Sequence, residues 1–281
     1  MLTEGAIGDT YGAGFEFADR EVIRLHNRLE TYIPHPKYAS LHKRYTDDTQ
    51  MALGIAELLL EGTNWNPKMI ADKFVEVFQR DRRQGYSEKF YQLLDKVQNG
   101  QELLDGIHPQ SRRNGAAMRA YPIGILGNES QIMKLARQQA LITHHTDTGI
   151  RSSQAIALML HYFRYDKGPQ TQLHVYLADW QNYRWNNHWQ GEVRVDGEDT
   201  VAAVLTLLES GNSLSEILKK SIDLGGDVDT VGSLTMAIGS GCKAIEKDLP
   251  LWMYKDLEDG TYGKTYLQKL DQQLRTLTLQ L

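Results

Sequence analysis

Apolar residues recur along most of this chain at intervals of three and four, the spacing of one helix face. From Thr49 to Glu61, Met51, Ile55, Leu58 and Leu59 share a face. Pro67 stands at a predicted helix start, followed by Ile70, Phe74, Val77 and Phe78 on one side. Ser87 is placed to cap a helix carrying Phe90, Leu93, Leu94 and Val97. The same period runs through 131–142, 152–162, 199–208 and 213–224, and through 264–279 with Leu267, Leu270, Leu274 and Leu277. Period-two alternation is confined to 191–196 (Gly-Glu-Val-Arg-Val-Asp), short enough for a strand or a loop. The pattern predicts an all-α fold of ten or more helices. With no proline-rich linker and no repeat, 1–281 is expected to form a single compact multi-helix domain.

Glycines interrupt this pattern in two places. Gly5, Gly8, Gly12 and Gly14 punctuate the N-terminal segment, and Gly225, Gly226, Gly232, Gly239 and Gly241 cluster late in the chain. Glycine costs a helix about 1 kcal/mol relative to alanine, so its repeated use points to close backbone approach, to another helix or to a ligand.

Beside those glycines lie two acidic clusters, Thr46-Asp47-Asp48-Thr49 and Asp227-Val228-Asp229-Thr230. Carboxylate and hydroxyl oxygens are the ligands hard cations prefer. Taken singly, each cluster is equally an N-cap with acids favoured by the helix dipole. Asp227 and Asp229, two residues apart, would diverge by roughly 200° on a regular helix. They can face one ion only from the loop that Gly225-Gly226 supplies.

Three other segments carry candidate chemistry. Gly5 to Phe17 contains a GxxGD pattern, but it lacks the Lys-Ser/Thr end of a phosphate loop and no strand precedes it. Glu16, between Phe15 and Phe17, is expected in an apolar setting that raises its pKa towards acid–base use. The other two are 114–124 and Thr143-His144-His145-Thr146-Asp147; adjacent histidines diverge on any regular element, so a ligand-bonding histidine is as fitting as a metal ligand. Arg80, Arg82, Arg83, Arg112 and Arg113 read as solvated faces.

Composition narrows the partners. A net charge of −5 argues against general nucleic-acid binding, while leaving room for a local phosphate pocket. The single Cys242 excludes an intrachain disulfide and a Cys-rich zinc site, and its small apolar neighbours place it in the core. The N-terminus has no leader-like basic and apolar run, and no apolar stretch approaches the ~18 residues of a membrane span. A cytoplasmic protein without membrane association is expected.

Taken in order, GAIGDTYGAGFEF, YTDDTQMAL, NGAAMRAYPIG, ITHHTDTG, LGGDVDTVGSLTMAIGSG and Leu249-Pro250-Leu251-Trp252 resemble the ADP-ribosylglycohydrolase family across about residues 2–255. The resemblance implies an all-α fold with two divalent cations, Mg²⁺ or Mn²⁺, in a central dinuclear cleft. Thr46, Asp47, Asp48, Asp227, Asp229 and Thr230 match the family's metal ligands. Glu16 matches a carboxylate on the segment covering the site, and the catalytic proton transfer falls to Glu16, Asp47 or Asp48. Ser111, Asn114 and Gly115 match the loop that holds the ADP-ribose diphosphate and ribose, and His144 a histidine near the distal part of the ligand. The implied reaction is hydrolysis of the glycosidic bond of ADP-ribose on a protein side chain, arginine or serine type, or on a small ADP-ribosylated molecule. The sequence departs from the pattern at Ser111-Arg112-Arg113, where serine-specific relatives carry small or aromatic residues, and at 166–197, rich in Trp, Asn and Gln.

Three other readings fit less well. A non-catalytic ADP-ribose-binding or structural relative is expected to lose metal carboxylates, and here all four Asp remain. A prenyl-diphosphate enzyme needs a third acid after Asp47-Asp48, where Met51 stands. A haloacid-dehalogenase-type phosphatase places its DxDT motif after an apolar strand, not after Gly225-Gly226.

Overall fold

In the computed structural model, which describes residues 1–277, fifteen α-helices pack around one hydrophobic core. They are α1 (Leu2–Ala13), α2 (Arg20–His26), α3 (Asp47–Glu61), α4 (Pro67–Arg80), α5 (Glu88–Lys96), α6 (Gly100–Gly106), α7 (Gly115–Met118), α8 (Glu129–Leu141) and α9 (Asp147–Arg164). There follow α10 (Leu173–Gln181), α11 (Gly197–Ser210), α12 (Leu214–Leu224), α13 (Val228–Gly239), α14 (Leu251–Asp256) and α15 (Lys264–Leu277). The helices expected from periodicity are present, most of them longer by a few residues at one or both ends; position 279 of the last lies outside the described residues.

The helices fall into two kinds. α4, α12 and α15 bury one stripe and expose the other, as their sequence period requires. α1, α13 and most of α3 and α9 are buried all round. These four form the centre, and the acidic clusters lie at the N-terminal ends of α3 and α13.

The N-terminal glycine segment is a helix, where the sequence pattern gave none. Its wholly buried surface erases the amphipathic period. α1 runs antiparallel to α13, with Gly5 by Ala237, Gly8 by Gly232 and Gly12 by Asp229. A Cβ on Gly8 would lie 2.1 Å from the Gly232 carbonyl oxygen. The close approach is therefore between helices, and it brings the start of α13 to the end of α1.

Residues 191–196 form no sheet strand; the described residues contain only isolated bridges, two of which lie here. Val193 donates its N–H to Gly225 O (3.0 Å) and accepts from Asp227 N (2.9 Å), while Val195 O accepts from Asn114 N (3.0 Å). The alternation instead makes a strap that ties the Gly225–Asp227 turn to the loop before α7. Gly225 and Gly226 have φ of 76° and 83°, the left-handed region glycine favours, and a Cβ on Gly226 would sit 2.1 Å from Val193 O.

The arginines are not all solvated. Arg83 is buried, stacks 3.5 Å from the Tyr45 ring centre and pairs with Asp81 and Glu258. Arg80 pairs with Glu57 and lies over the Tyr262 ring. A guanidinium can enter the interior when carboxylates and aromatic faces replace its water. Arg82, Arg112 and Arg113 are exposed, and Cys242 is buried as expected.

Candidate metal and ligand site

Thr46 is the N-cap of α3, and its Oγ1 accepts from Asp48 N at 3.3 Å. The cap reading of the first cluster is thus correct, and its consequence is to aim Asp47 and Asp48 from the first turn. A residue outside the cluster fixes the turn. Asp9 of α1, wholly buried, accepts from Thr46 N with both oxygens (3.0 Å each), and its Oδ2 accepts from Thr49 N (3.0 Å) and Thr49 Oγ1 (2.6 Å). In the sequence Asp9 stands inside the GxxGD pattern and the GAIGDTYGAGFEF motif, with no role assigned to it. The signal was an acid among glycines on a segment with no exposed face.

At α13, Asp227 is the N-cap, with φ −81° and ψ 63°, and Asp229 lies on the first turn. Only Asp227 sits in the loop, and its non-helical backbone cancels the divergence expected of a regular helix. Asp227 accepts from the Asn114 amide, which also donates to Thr200 Oγ1 (3.1 Å).

Glu16 reaches the same place from the end of α1. Phe17 N donates to Gly226 O at 2.9 Å, pinning Glu16 beside the α13 turn. Oxygens of Glu16, Asp227 and Asp229 lie within 4.8 Å of one another. The expected apolar setting of Glu16 is absent. Phe15 points into the core, Phe17 is 58% exposed, and the Glu16 carboxylate meets His35 Nε2 at 2.6 Å. His35 Nδ1 accepts from Lys37 N (2.9 Å) and Tyr38 N (3.1 Å), so its proton is on Nε2 and is donated to Glu16.

The electrostatics of this centre are lopsided. Asp9, Asp47, Asp48, Asp227 and Asp229 are all buried, and among the described residues none forms an ion pair with Lys, Arg or His. Burial and then mutual repulsion raise Asp47, Asp48 and Asp229 well above the usual carboxylate range. Burial raises Asp9 and Asp227 to about 6, against hydrogen bonds that hold them down. Asp48 Oδ1 and Asp229 Oδ1 are buried with no hydrogen-bond partner among the described residues. Such oxygens carry a desolvation penalty that a hard cation would remove. The donor set, carboxylates with Thr46 and Thr230 hydroxyls beside them, suits hard divalent cations.

A cleft of about 750 Å³ opens beside this centre and meets it at Glu16; none of the five aspartates lines it. Glu16, His35, Gly85 and the rings of Phe17, Tyr38, Tyr86 and Tyr91 help to line it. Gly85 lies against Asp47, whose N–H donates to Gln84 O at 3.2 Å.

The expected ligand loop lies elsewhere around the centre. Asn114 has its N–H on Val195 and its amide on Asp227 and Thr200, so these donors are not open to a diphosphate; Asn114 holds the acid instead. Ser111 Oγ accepts from Arg113 N (3.1 Å). Gly115 begins α7 and faces His144, whose Nε2 would lie 3.3 Å from a Cβ there. His144 is buried and held neutral, its pKa lowered to about 3 by burial and then by Arg119 and Arg113.

With this geometry in place, comparison with known proteins decides the lineage. The profile of the ADP-ribosylglycohydrolase family matches residues 1–280. The chain belongs to that family. Among its relatives in the family are an ADP-ribosylhydrolase ARH3 of Xenopus tropicalis, 25% identical over 83% of this chain and 84% of that one. An ADP-ribosylarginine hydrolase Tri1 of Serratia proteamaculans is 21% identical over 98% of this chain and 75% of that one. A solved structure described as an ADP-ribosylglycohydrolase-related protein complex superposes with a TM-score of 0.75 at 20% identity, covering 99% of this chain and 96% of that one. That likeness shows a shared ADP-ribosylglycohydrolase fold.

Proposed function

We propose that the protein is a hydrolase, dependent on two Mg²⁺ or Mn²⁺ ions, that releases ADP-ribose from an arginine- or serine-type side chain or from a small ADP-ribosylated compound. The observation that carries this reading is the placement of Glu16. Its carboxylate joins the buried acids on one side and lines the open cleft on the other. Thr46, Asp47, Asp48, Asp227, Asp229 and Thr230 would hold the cations. When bound, these would supply positive charge that orients the ribose hydroxyls and polarises water.

The chain's own groups do the rest. His35 donates to Glu16 and so keeps one carboxylate oxygen turned and the other available. Glu16 accepts a proton from the attacking water at the cleft mouth and delivers one to the departing side-chain atom, so that the new C–OH bond replaces the broken glycosidic bond. The carboxylates around it stabilise the oxocarbenium-like character that grows on the ribose as the glycosidic bond breaks. Asn114 steadies Asp227, while Ser111, Gly115 and His144 would supply the contacts to the diphosphate and ribose.

Two measurements test this. A panel of arginine-, serine- and acetyl-linked ADP-ribose, with Mg²⁺ or Mn²⁺ and with chelator, should show cation-dependent release of ADP-ribose. Failure on every member would leave the family's binding-only alternative. Asp229→Ala and Asp47→Ala should each lower turnover by about a hundredfold or more, beyond the 10–100-fold typical of groups that only support a ligand, with helical content unchanged. Near wild-type turnover in either variant would remove the two-cluster site.

A further inference from the structure

Arg119 is the largest fully buried side chain in the structure, 1% exposed, and among the described residues it has no carboxylate partner. A cation so placed needs acceptors arranged for it. Its Nε donates to Gln139 Oε1 (2.5 Å), its Nη2 to Thr143 Oγ1 (2.7 Å) and, more weakly, to Gln139 O (3.3 Å), while its plane lies over the Phe74 ring at 4.4 Å. Gln139 Nε2 in turn donates to Ala116 O (2.8 Å) and Ser153 Oγ (2.6 Å). Thr143 Oγ1 meets His144 Nδ1 at 2.6 Å. The contacts close a ring from Ala116 through Gln139, Arg119, Thr143 and His144 back to Gly115, the neighbour of Ala116.

Proton counting fixes the direction of the last bond. A guanidinium only donates, so Thr143 Oγ1 is an acceptor towards Arg119. The Thr143 hydroxyl proton then has one acceptor within reach among the described residues, His144 Nδ1. Were Nδ1 protonated instead, the hydroxyl would be left as a buried, unmatched donor. The imidazole proton therefore resides on Nε2, which has no protein partner among the described residues and is turned to Gly115 at the start of α7.

We propose that Arg119 and Thr143 are positioning residues that lock His144 in the tautomer with its proton on Nε2, as a neutral hydrogen-bond donor to an oxygen of the bound ligand. The ligand role of His144 rests on the function proposed above; the tautomer lock does not. An imidazole set this way offers a donor without adding charge, and it does so whatever the solution pH across the working range. The lowered basicity of His144 agrees with it.

The tautomer can be read directly. Long-range ¹H–¹⁵N spectra of the full chain, with His144 assigned through His144→Gln, should show at pH 7 a protonated Nε2 and a bare Nδ1. Thr143→Val removes the hydroxyl and should erase that preference, and Thr143→Ser should restore it. In the same series, Kd for ADP-ribose should rise about five- to tenfold in Thr143→Val, the worth of one hydrogen bond, with KM following it and kcat within twofold. A proton on Nδ1 in the wild-type chain overturns the proposal, and this holds even if Thr143→Val fails to fold. So does a folded Thr143→Val with an unchanged tautomer. If instead the tautomer behaves as expected but His144→Gln binds ADP-ribose as tightly as wild type, the lock stands and the ligand role of His144 falls.

Discussion

Gly12 lies against the backbone of Asp229: a Cβ added to Gly12 would sit 2.4 Å from the Asp229 Cα and 2.8 Å from its nitrogen. One glycine on the first helix thus sets where a buried carboxylate at the other end of the chain, a candidate metal ligand, can stand. Gly12→Ala forces α1 and α13 apart where Asp229 points inward. Overpacking of this kind costs about 1–3 kcal/mol, and here it also moves a candidate ligand. The expected outcome is a lower melting temperature together with weaker Mn²⁺ binding by calorimetry. A variant with wild-type cation affinity would show that the α1–α13 contact is structural only.

Asp9 supports the first cluster without touching the second. Its carboxylate closes four hydrogen bonds to Thr46 and Thr49, which set the N-terminal turn of α3. Asp9→Asn keeps one acceptor oxygen and loses the other. Metal affinity should fall by about tenfold, at the low end for a supporting group, and turnover should recover at high Mg²⁺. Turnover that stays low at saturating cation would assign Asp9 a direct part in the reaction.

The buried acids make stability depend on pH and on cations together. Asp9 and Asp227 titrate at about 6 in the folded chain, above the unfolded value near 4. Between those values the folded state binds more protons than the unfolded state, so cation-free stability falls as pH rises. It is fully present below pH about 4 and lost by about pH 6 for these two groups, and later for Asp47, Asp48 and Asp229, which are raised further. Mg²⁺ or Mn²⁺ should reverse the loss, binding more tightly as pH rises. Melting curves from pH 4 to 8, with chelator and with cation, check both signs. His144, held down to about 3, adds stability as pH rises over the same range, so the check is made in His144→Gln: cation-free stability of that variant that climbs from pH 4 to 7 would contradict the raised carboxylates.

The sequence by itself determined the helices with a one-sided period and the chemistry at their ends. A one-sided apolar period is a local property, so α4, α12 and α15 could be read residue by residue. The acidic clusters, their caps and the Gly225-Gly226 turn were legible for the same reason, and their order along the chain carried the family. Only the tertiary structure decided which groups meet. α1 has no exposed face and hence no period to read, yet it places both Asp9 and Glu16. Val193 and Val195, in six residues of alternation without a sheet, tie Asp227 to Asn114 across more than a hundred positions. His35 and Thr200 gave no signal, and Arg119 none beyond its place in segment 114–124, because a hydrogen bond between distant residues leaves no spacing in the sequence. The tautomer of His144 is set by contacts of that kind, where one donor has one acceptor left to it.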